Sequence, residues 1–354
     1  MSSPAYHTLD KARVSKAKRS FTTRRVAAKD MTRLKVCDWA PSPGDLMLAR
    51  VEAIGQHARI ELPDGRRASL FPGNEIIVCC GSRYAPDQFE AELQDGVWPT
   101  DLVAGGGLAS CEISRHASKK PATRLQPLGA VCGENGKPLN VSDYALARID
   151  KRLPIKVVLV AGTSMNAGKT ASAAALVRGF SQVGYRVGAA KITGTGSGPD
   201  PWLMVDSGAD TVLDFTDGGY ASTFKVPAPE LEAMAHNLID HLAFEGCEVA
   251  VLEVADGLLQ PETAALLASN SFRLRVFGAL FTAYDAMGAV TGAEWLRTNG
   301  YRLLGLAGQM TASKLAAREA QHATDLPVYT LSELADGPTA DAMLLRRDAC
   351  TRAS

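Results

Sequence analysis

The sequence predicts an α/β chain: a C-terminal domain built on a parallel sheet, preceded by a small, mostly-β domain. Three observations carry this. From about residue 45 to 115, apolar residues come in short runs bounded by Gly, Pro and Asp. After Pro154, strand-length apolar runs alternate with helix-length segments. One of those junctions passes from an apolar run through a glycine loop into an Ala-rich segment. The expected division is a basic arm over 1–40, a β-rich domain with its connector over 41–150 that selects substrate or partner, and the α/β domain over 151–354.

The formal charges cancel, 38 Lys plus Arg against 38 Asp plus Glu, but unevenly along the chain. Residues 11–35 hold Lys11, Arg13, Lys16, Lys18, Arg19, Arg24, Arg25, Lys29, Arg33 and Lys35 against Asp30 alone. A basic arm of this kind reads as a solvated or packed segment, with nucleic acid as the alternative partner. Hydrophobic residues at 46% and charged residues at 21% describe a globular chain with a sizeable core. No apolar run reaches the roughly 18 residues of a membrane span, so no membrane partner is expected. The seven scattered cysteines lack a C-x-x-C spacing and read as reduced thiols of a cytoplasmic protein, with Cys79-Cys80 inside a buried strand.

In the β-rich region the strand runs are 46–53, 58–62, 68–71 and 75–80, and Pro63-Asp64-Gly65-Arg66 supplies a hairpin turn between two of them. A barrel is one arrangement open to such strands. The stretch 118–154, rich in Pro, Gly and charge, reads as a loop-rich connector. Beyond it, strands are expected at 156–161, 186–191, 248–254, 275–281, 302–307 and 328–331. Helices are expected at 169–182, 229–244, 292–299 and 313–323, with Pro227 and Pro229 suited to the start of the second.

The most specific signal is Gly162-Thr163-Ser164-Met165-Asn166-Ala167-Gly168-Lys169-Thr170, set between an apolar strand and a helix. Glycines let backbone amides converge on phosphate oxygens, and the helix start adds partial positive charge. In this reading Gly162, Thr163, Asn166, Ala167, Gly168, Lys169 and Thr170 bind nucleotide. Lys169 reaches the β- and γ-phosphates, and the Thr170 hydroxyl ligates Mg²⁺. A second carboxylate position follows the apolar run 249–252 at Glu253, with Asp256 three residues on. A carboxylate at the carboxyl edge of a parallel strand faces the crevice where nucleotides bind.

Five residues, where four are commonest, separate Gly162 from Gly168. This G-T-x-x-x-x-G-K-T loop resembles that of the dethiobiotin synthetase group of P-loop NTPases, whose relatives include amidoligases of cobalamin synthesis and molybdopterin-guanine dinucleotide accessory proteins. The resemblance covers about 200 residues, the C-terminal part only. It implies that Lys191, leaving the second strand, faces the γ-phosphate and the reacting group. It also implies that an aspartate some 15 to 20 residues further on holds Mg²⁺; Asp206 and Asp210 fall in that window and Asp206 is favoured. Glu253 takes the metal position of the family's E-G-A-G-G segment, and Asp256 is the candidate to orient a nucleophile or accept its proton. Thr193, Thr195 and Ser197 stand in a glycine turn that either touches substrate or is only a flexible connection.

The catalytic set is thus Lys169, Lys191 and Asp256, and the metal set Thr170, Asp206 and Glu253. No Asn-Lys-x-Asp tetrapeptide is present, which favours ATP over GTP, with 306–311 as the base-side wall. The six histidines show no zinc spacing, so no zinc site is assigned. The function expected is Mg-ATP-dependent phosphoryl transfer to a small-molecule substrate, as a kinase or to activate a carboxylate for ligation. The alternatives are a nucleotide-hydrolysing accessory protein for a partner enzyme or metallocofactor, and a nucleic-acid-directed kinase using residues 11–35. A homodimer is a further open partner assignment.

Overall fold

The computed structural model describes residues 6–345, which form two compact units. The first contains the residues up to Arg148 together with Thr193–Trp202 and Asp214–Met234; the second contains Ile149–Ile192, Leu203–Leu213 and the residues from Ala235 onward. The units therefore do not follow a single cut near 150, because two segments from the α/β half belong to the first.

Within the first unit the strands are β1 (Tyr6–Thr8), β2 (Lys18–Arg19), β3 (Arg33–Lys35), β4 (Leu46–Ala53), β5 (Arg59–Glu61), β6 (Arg67–Ser69), β7 (Glu75–Cys80), β8 (Arg83–Tyr84), β9 (Phe89–Glu92), β10 (Asp101–Ala104), β11 (Leu108–Arg115) and β12 (Thr123–Cys132). Helix α1 (Lys11–Lys16) is capped by the Asp10 carboxylate, which accepts from Arg13 N at 2.7 Å. The basic stretch is therefore folded: β1 pairs β3, β3 pairs β12, and β2 runs parallel to β7.

The sheet order is β1-β3-β12-β4-β7-β11-β9-β8, and β10 pairs both β11 and β12. The circuit β4-β7-β11-β10-β12 thus closes on itself as a five-stranded barrel, which leaves none of its five strands with a free edge inside the ring. Successive residues of a strand face opposite sides, and here both sides are buried. Leu46, Leu48, Ile77 and Cys79 belong to one core cluster, while Met47, Ala49, Ile76, Val78 and Cys80 belong to another. That is why 46–51 and 76–80 read as continuous apolar runs, and why the vicinal thiols do not meet in one environment. Burial pushes the Cys79 thiol up to about 12 and Cys80 upward as well, so both are protonated. None of the six described cysteines forms a disulfide; Cys350 lies outside the described residues.

One expectation for this unit fails. The presumed connector contains β12, the strand that closes the barrel. Pro127 and Gly129 concealed it, and the ladder absorbs them through a register shift between Pro127 and Gly129 against β4. The hairpin turn is as expected: β5 and β6 pair, Leu62 N donates to Arg66 O at 2.9 Å, and Arg66 N donates to the Asp64 carboxylate at 2.9 Å.

The second unit carries the six-stranded sheet, built from β13 (Lys156–Gly162), β14 (Val187–Lys191), β15 (Thr211–Asp214), β16 (Val249–Glu253), β17 (Val276–Thr282) and β18 (Leu303–Ala307) in the order β15-β14-β16-β13-β17-β18. The pairs β14–β16, β16–β13, β13–β17 and β17–β18 are parallel. Helix α2 (Lys169–Gln182) follows β13 and packs Leu176, Val177 and Phe180 on Val158 and Val160 of that strand. Phe180 is fully buried, so truncation to Ala would cost about 3–5 kcal/mol. The short helix α3 (Pro199–Asp206) lies between β14 and β15, and α4 (Ala228–Phe244) precedes β16. The strand expected at 328–331 is replaced by a single bridge, Leu306 to Val328, and by the helical turn Leu331–Leu334, which the Thr330–Glu333 capping box starts. The sixth strand is β15, in a stretch where no strand was expected. Among the described residues no helix is long and apolar enough to cross a membrane.

Candidate functional site

Strand β13 ends at Gly162 and α2 begins at Lys169, so the intervening loop stands at the carboxyl edge of the sheet. Gly168 at the helix start has φ +104°, a left-handed conformation that suits glycine. Helix α2 has no side-chain cap and no acid in its first turn. Its leading amides therefore lack a protein anion, and they are available to an exogenous one. The Thr163 amide, in contrast, is spent on Thr282 O at 3.0 Å, and the Ala167 amide donates to Ser164 O at 3.3 Å.

The Lys169 side chain is buried and folds back over the loop. Its Nζ donates to Ser164 O at 2.7 Å and to Asp256 O. An ammonium has three donors, so one remains for a ligand. Burial lowers the Lys169 pKa, and the charges of Glu253 and Asp256 partly oppose that effect. Glu253, the last residue of β16, is 2% exposed. Its Oε1 accepts from Thr170 Oγ1 at 2.9 Å and lies 3.8 Å from Lys191 Nζ, at the end of β14. Its Oε2 is buried with no hydrogen-bond partner, as is Thr163 Oγ1. An orphaned carboxylate oxygen is costly unless something else occupies it. A divalent cation fits the donor set: one hydroxyl and one carboxylate from the protein, with the remaining oxygens from phosphates and water, is the habit of Mg²⁺. Among the described residues no three His, Cys, Asp or Glu side chains converge, so an all-protein metal cage is not formed.

The structure thus gathers Lys169, Thr170, Lys191, Glu253 and the Asp256 main chain around one loop. Asp206 is elsewhere. It is an exposed residue at the end of α3, two positions before Gly208, which abuts Ser181 near the far end of α2. From Lys169 to Ser181 the helix rises about 18 Å. Asp210 is placed likewise: its carboxylate accepts from Val187 N at 2.7 Å, at the end of β14 opposite to Lys191. The spacing along the chain put Asp206 in a metal window, but α3 returns the chain to the other end of the sheet before that spacing is used.

Asp214 and Asp217 belong to the first unit and are committed there. Arg24 pairs with Asp214 at 3.0 Å and Asp217 at 2.7 Å, and Arg25 with Asp217 at 3.2 Å. Burial acts to lower the Arg24 pKa, but the two carboxylates outweigh it and hold it above its ordinary value. The glycine turn after β14 is also structural. Gly194 N donates to Thr223 Oγ1 at 2.8 Å, Gly196 N to Ala221 O at 3.1 Å and Gly198 N to Glu61 Oε2 at 2.9 Å, so three of its amides are already used within that unit.

Two further groups stand at the loop: Tyr284, which no motif singled out, and Gly308, inside the 306–311 segment expected to form the base-side wall. Tyr284, two residues past β17, donates its hydroxyl to Met165 O at 3.1 Å and is 46% exposed. Gly308, with φ +103°, sits so close that a Cβ there would lie 2.4 Å from Ala167 O, and Gln309 N donates to that same carbonyl at 3.1 Å. The signal that could have found Tyr284 is topological: it follows the carboxyl end of a strand on the β13 side of the sheet.

No family model matches the chain, and no curated protein matches it. Similar folds occur among solved structures. The signal recognition particle 54 kDa protein from Aeropyrum pernix K1 in complex with GDP gives a TM-score of 0.38 at 19% identity, covering 55% of this chain and 47% of that one. The signal recognition particle receptor FtsY from Elizabethkingia anophelis gives 0.38 at 15% identity, covering 56% and 67%; the same receptor in complex with GDP gives 0.37 at 14%, covering 58% and 69%. This chain spans about half the length of the first of these. The resemblance to the dethiobiotin synthetase group is carried by the loop and strand-end residues alone.

Proposed function

We propose that this protein binds a magnesium nucleoside triphosphate, ATP by preference, and transfers its γ-phosphoryl group to a small-molecule substrate, as a kinase or to activate a carboxylate for ligation. The observation that carries the reading is the Glu253 carboxylate: buried, held on one oxygen by the Thr170 hydroxyl, orphaned on the other, and set beside an uncapped helix start that opens with Lys169.

Phosphate oxygens would take the first-turn amides of α2 and the third donor of Lys169 Nζ. Thr170 and Glu253 would hold Mg²⁺, which supplies charge neutralisation at the β- and γ-phosphate oxygens. Lys191, held 3.8 Å from Glu253, would place its positive charge against the migrating phosphoryl. In that step the bond from the γ-phosphorus to its bridging oxygen breaks, the bond to the acceptor oxygen forms, and Asp256 would accept the acceptor's proton if it carries one. The absence of Asn-Lys-x-Asp supports ATP.

The test is ADP release from the full chain with Mg-ATP across a panel of small alcohols, amines and carboxylates, repeated with GTP. Acceleration by one compound with a phosphorylated or ligated product supports the proposal. Slow hydrolysis indifferent to every compound and raised only by a protein would replace it with the accessory reading.

A further inference from the structure

The first unit sorts its basic residues into two groups. Arg13 pairs with Glu75, while Arg24 and Arg25 pair with Asp214 and Asp217. Lys11, Lys16, Lys18, Arg19 and Lys29 instead line an open groove of about 660 Å³ together with Arg66 of the β5–β6 turn. No carboxylate lines this groove, and none pairs with any of these six cations among the described residues.

Lys18 and Arg19 are fixed at the floor. Lys18 Nζ donates to Ser69 O at 2.9 Å and to Asn74, and Arg19 donates to Val26 O at 2.8 Å while its Nε is buried without a partner. Lys11, Lys16, Lys29 and Arg66 are exposed on the rim. Between them the surface is apolar, from Val14, Ala17, Leu62 and Pro63. Beside Lys18, whose Nζ lies 5.8 Å from the ring centroid, Phe71 is 62% exposed. Burial foremost, and then the charge of Arg66, lower the Lys18 pKa.

We propose that this groove binds single-stranded nucleic acid through its phosphate backbone. Six cations without a counter-charge call for phosphates in series, because one phosphomonoester brings only about −2. The volume is that of a site for a drug-sized ligand, on the order of 300–1,000 Å³; a flexible strand can dip into it and pass over the rim cations with its further phosphates, which a rigid duplex cannot. Beside the groove the exposed Phe71 ring supplies a face on which a base stacks without regard to sequence.

The test is fluorescence anisotropy of the full chain with a labelled deoxythymidine strand of about 15 nucleotides, titrated between 50 and 200 mM salt. Neutralising six phosphates gives a log–log slope of about −4, a weakening on the order of a few hundredfold across that range. The variant Lys11→Gln/Lys16→Gln/Lys29→Gln, all exposed positions, should reduce the slope by about 2, whereas Arg33→Gln, exposed on β3 outside the groove, should leave it unchanged. Absent binding, a slope equal in the triple variant, stronger binding to duplex, or displacement by inorganic tripolyphosphate as effective per phosphate as by unlabelled strand would each overturn the proposal.

Discussion

Thr170 Oγ1 donates to Glu253 Oε1 at 2.9 Å, while Glu253 Oε2, at the carboxyl end of β16, is buried and accepts nothing. The two residues are far apart in sequence and meet because parallel pairing of β13 and β16 sets their strand ends side by side. Glu253→Gln keeps the shape and removes the charge. Magnesium-dependent ADP release should fall by on the order of 10²- to 10³-fold, with the fold intact by circular dichroism. Thr170→Val should act in the same direction. Unaltered magnesium dependence in both variants would remove these residues from the metal set.

Asp206→Asn serves as the counterpart. Exposed and near the far end of α2, Asp206 should tolerate the change with turnover within about twofold of the parent and stability within about 0.5 kcal/mol. A loss comparable to that of Glu253→Gln would contradict the placement of α3.

Lys169→Met exchanges a buried ammonium for an apolar chain of similar length. ADP release should drop below detection while the thermal midpoint shifts by only a few degrees, because the ammonium hydrogen bonds lost at Ser164 and Asp256 are offset by relief of a desolvated charge. Residual turnover near the parent rate would move the phosphate site elsewhere.

His57 offers a pH readout in the first unit. Burial foremost, then the charge of Arg83, with a smaller effect of Lys119, push its pKa down to about 4 against the hydrogen bond to Val103 O. The folded state thus holds a neutral imidazole where the unfolded chain would take a proton. Stability should be undiminished above about pH 6.5 and decline from there toward pH 4, by on the order of 3 kcal/mol in all. Urea midpoints at intervals across that window would show the decline, and His57→Gln should remove its share.

Arg24→Leu strips two buried carboxylates of their shared counter-ion. The first unit should lose about 3–5 kcal/mol at pH 7 by urea denaturation. The loss should shrink as the pH is lowered, because burial foremost, and then Asp214, raise the Asp217 pKa and its protonation relieves the repulsion. An unaffected midpoint would mean that Arg24 is dispensable to the unit.

What the sequence disclosed and what it hid follow a physical division. The phosphate loop and α2 are local: apolar strand, glycine loop and helix-forming segment occupy consecutive residues, and the helix spans Lys169–Gln182 as read. Glu253 ends an apolar run, which again is a one-strand pattern. The barrel's closure was hidden because Pro127 and Gly129 break the alternation of β12, and only pairing with β4 reveals it. Asp206 misled because distance along a chain says little after a helix of unknown direction. The cations at 11–35 could be counted in the sequence, but which of them face Glu75, Asp214 or Asp217 and which face a groove depends on partners up to two hundred residues away.

Because its last segment ends at Met234, the first unit cannot finish folding when its N-terminal portion leaves the ribosome. Arg24 waits for Asp214 and Asp217, and Glu61 for Gly198, on the order of ten seconds at roughly 5–20 residues per second. The strands bearing the Gly162–Lys169 loop and Lys191 are threaded into that interval. The barrel and the early part of the parallel sheet must therefore mature in overlapping time, and a gene cut at residue 150 would yield a fragment with buried arginines and no acids to meet them.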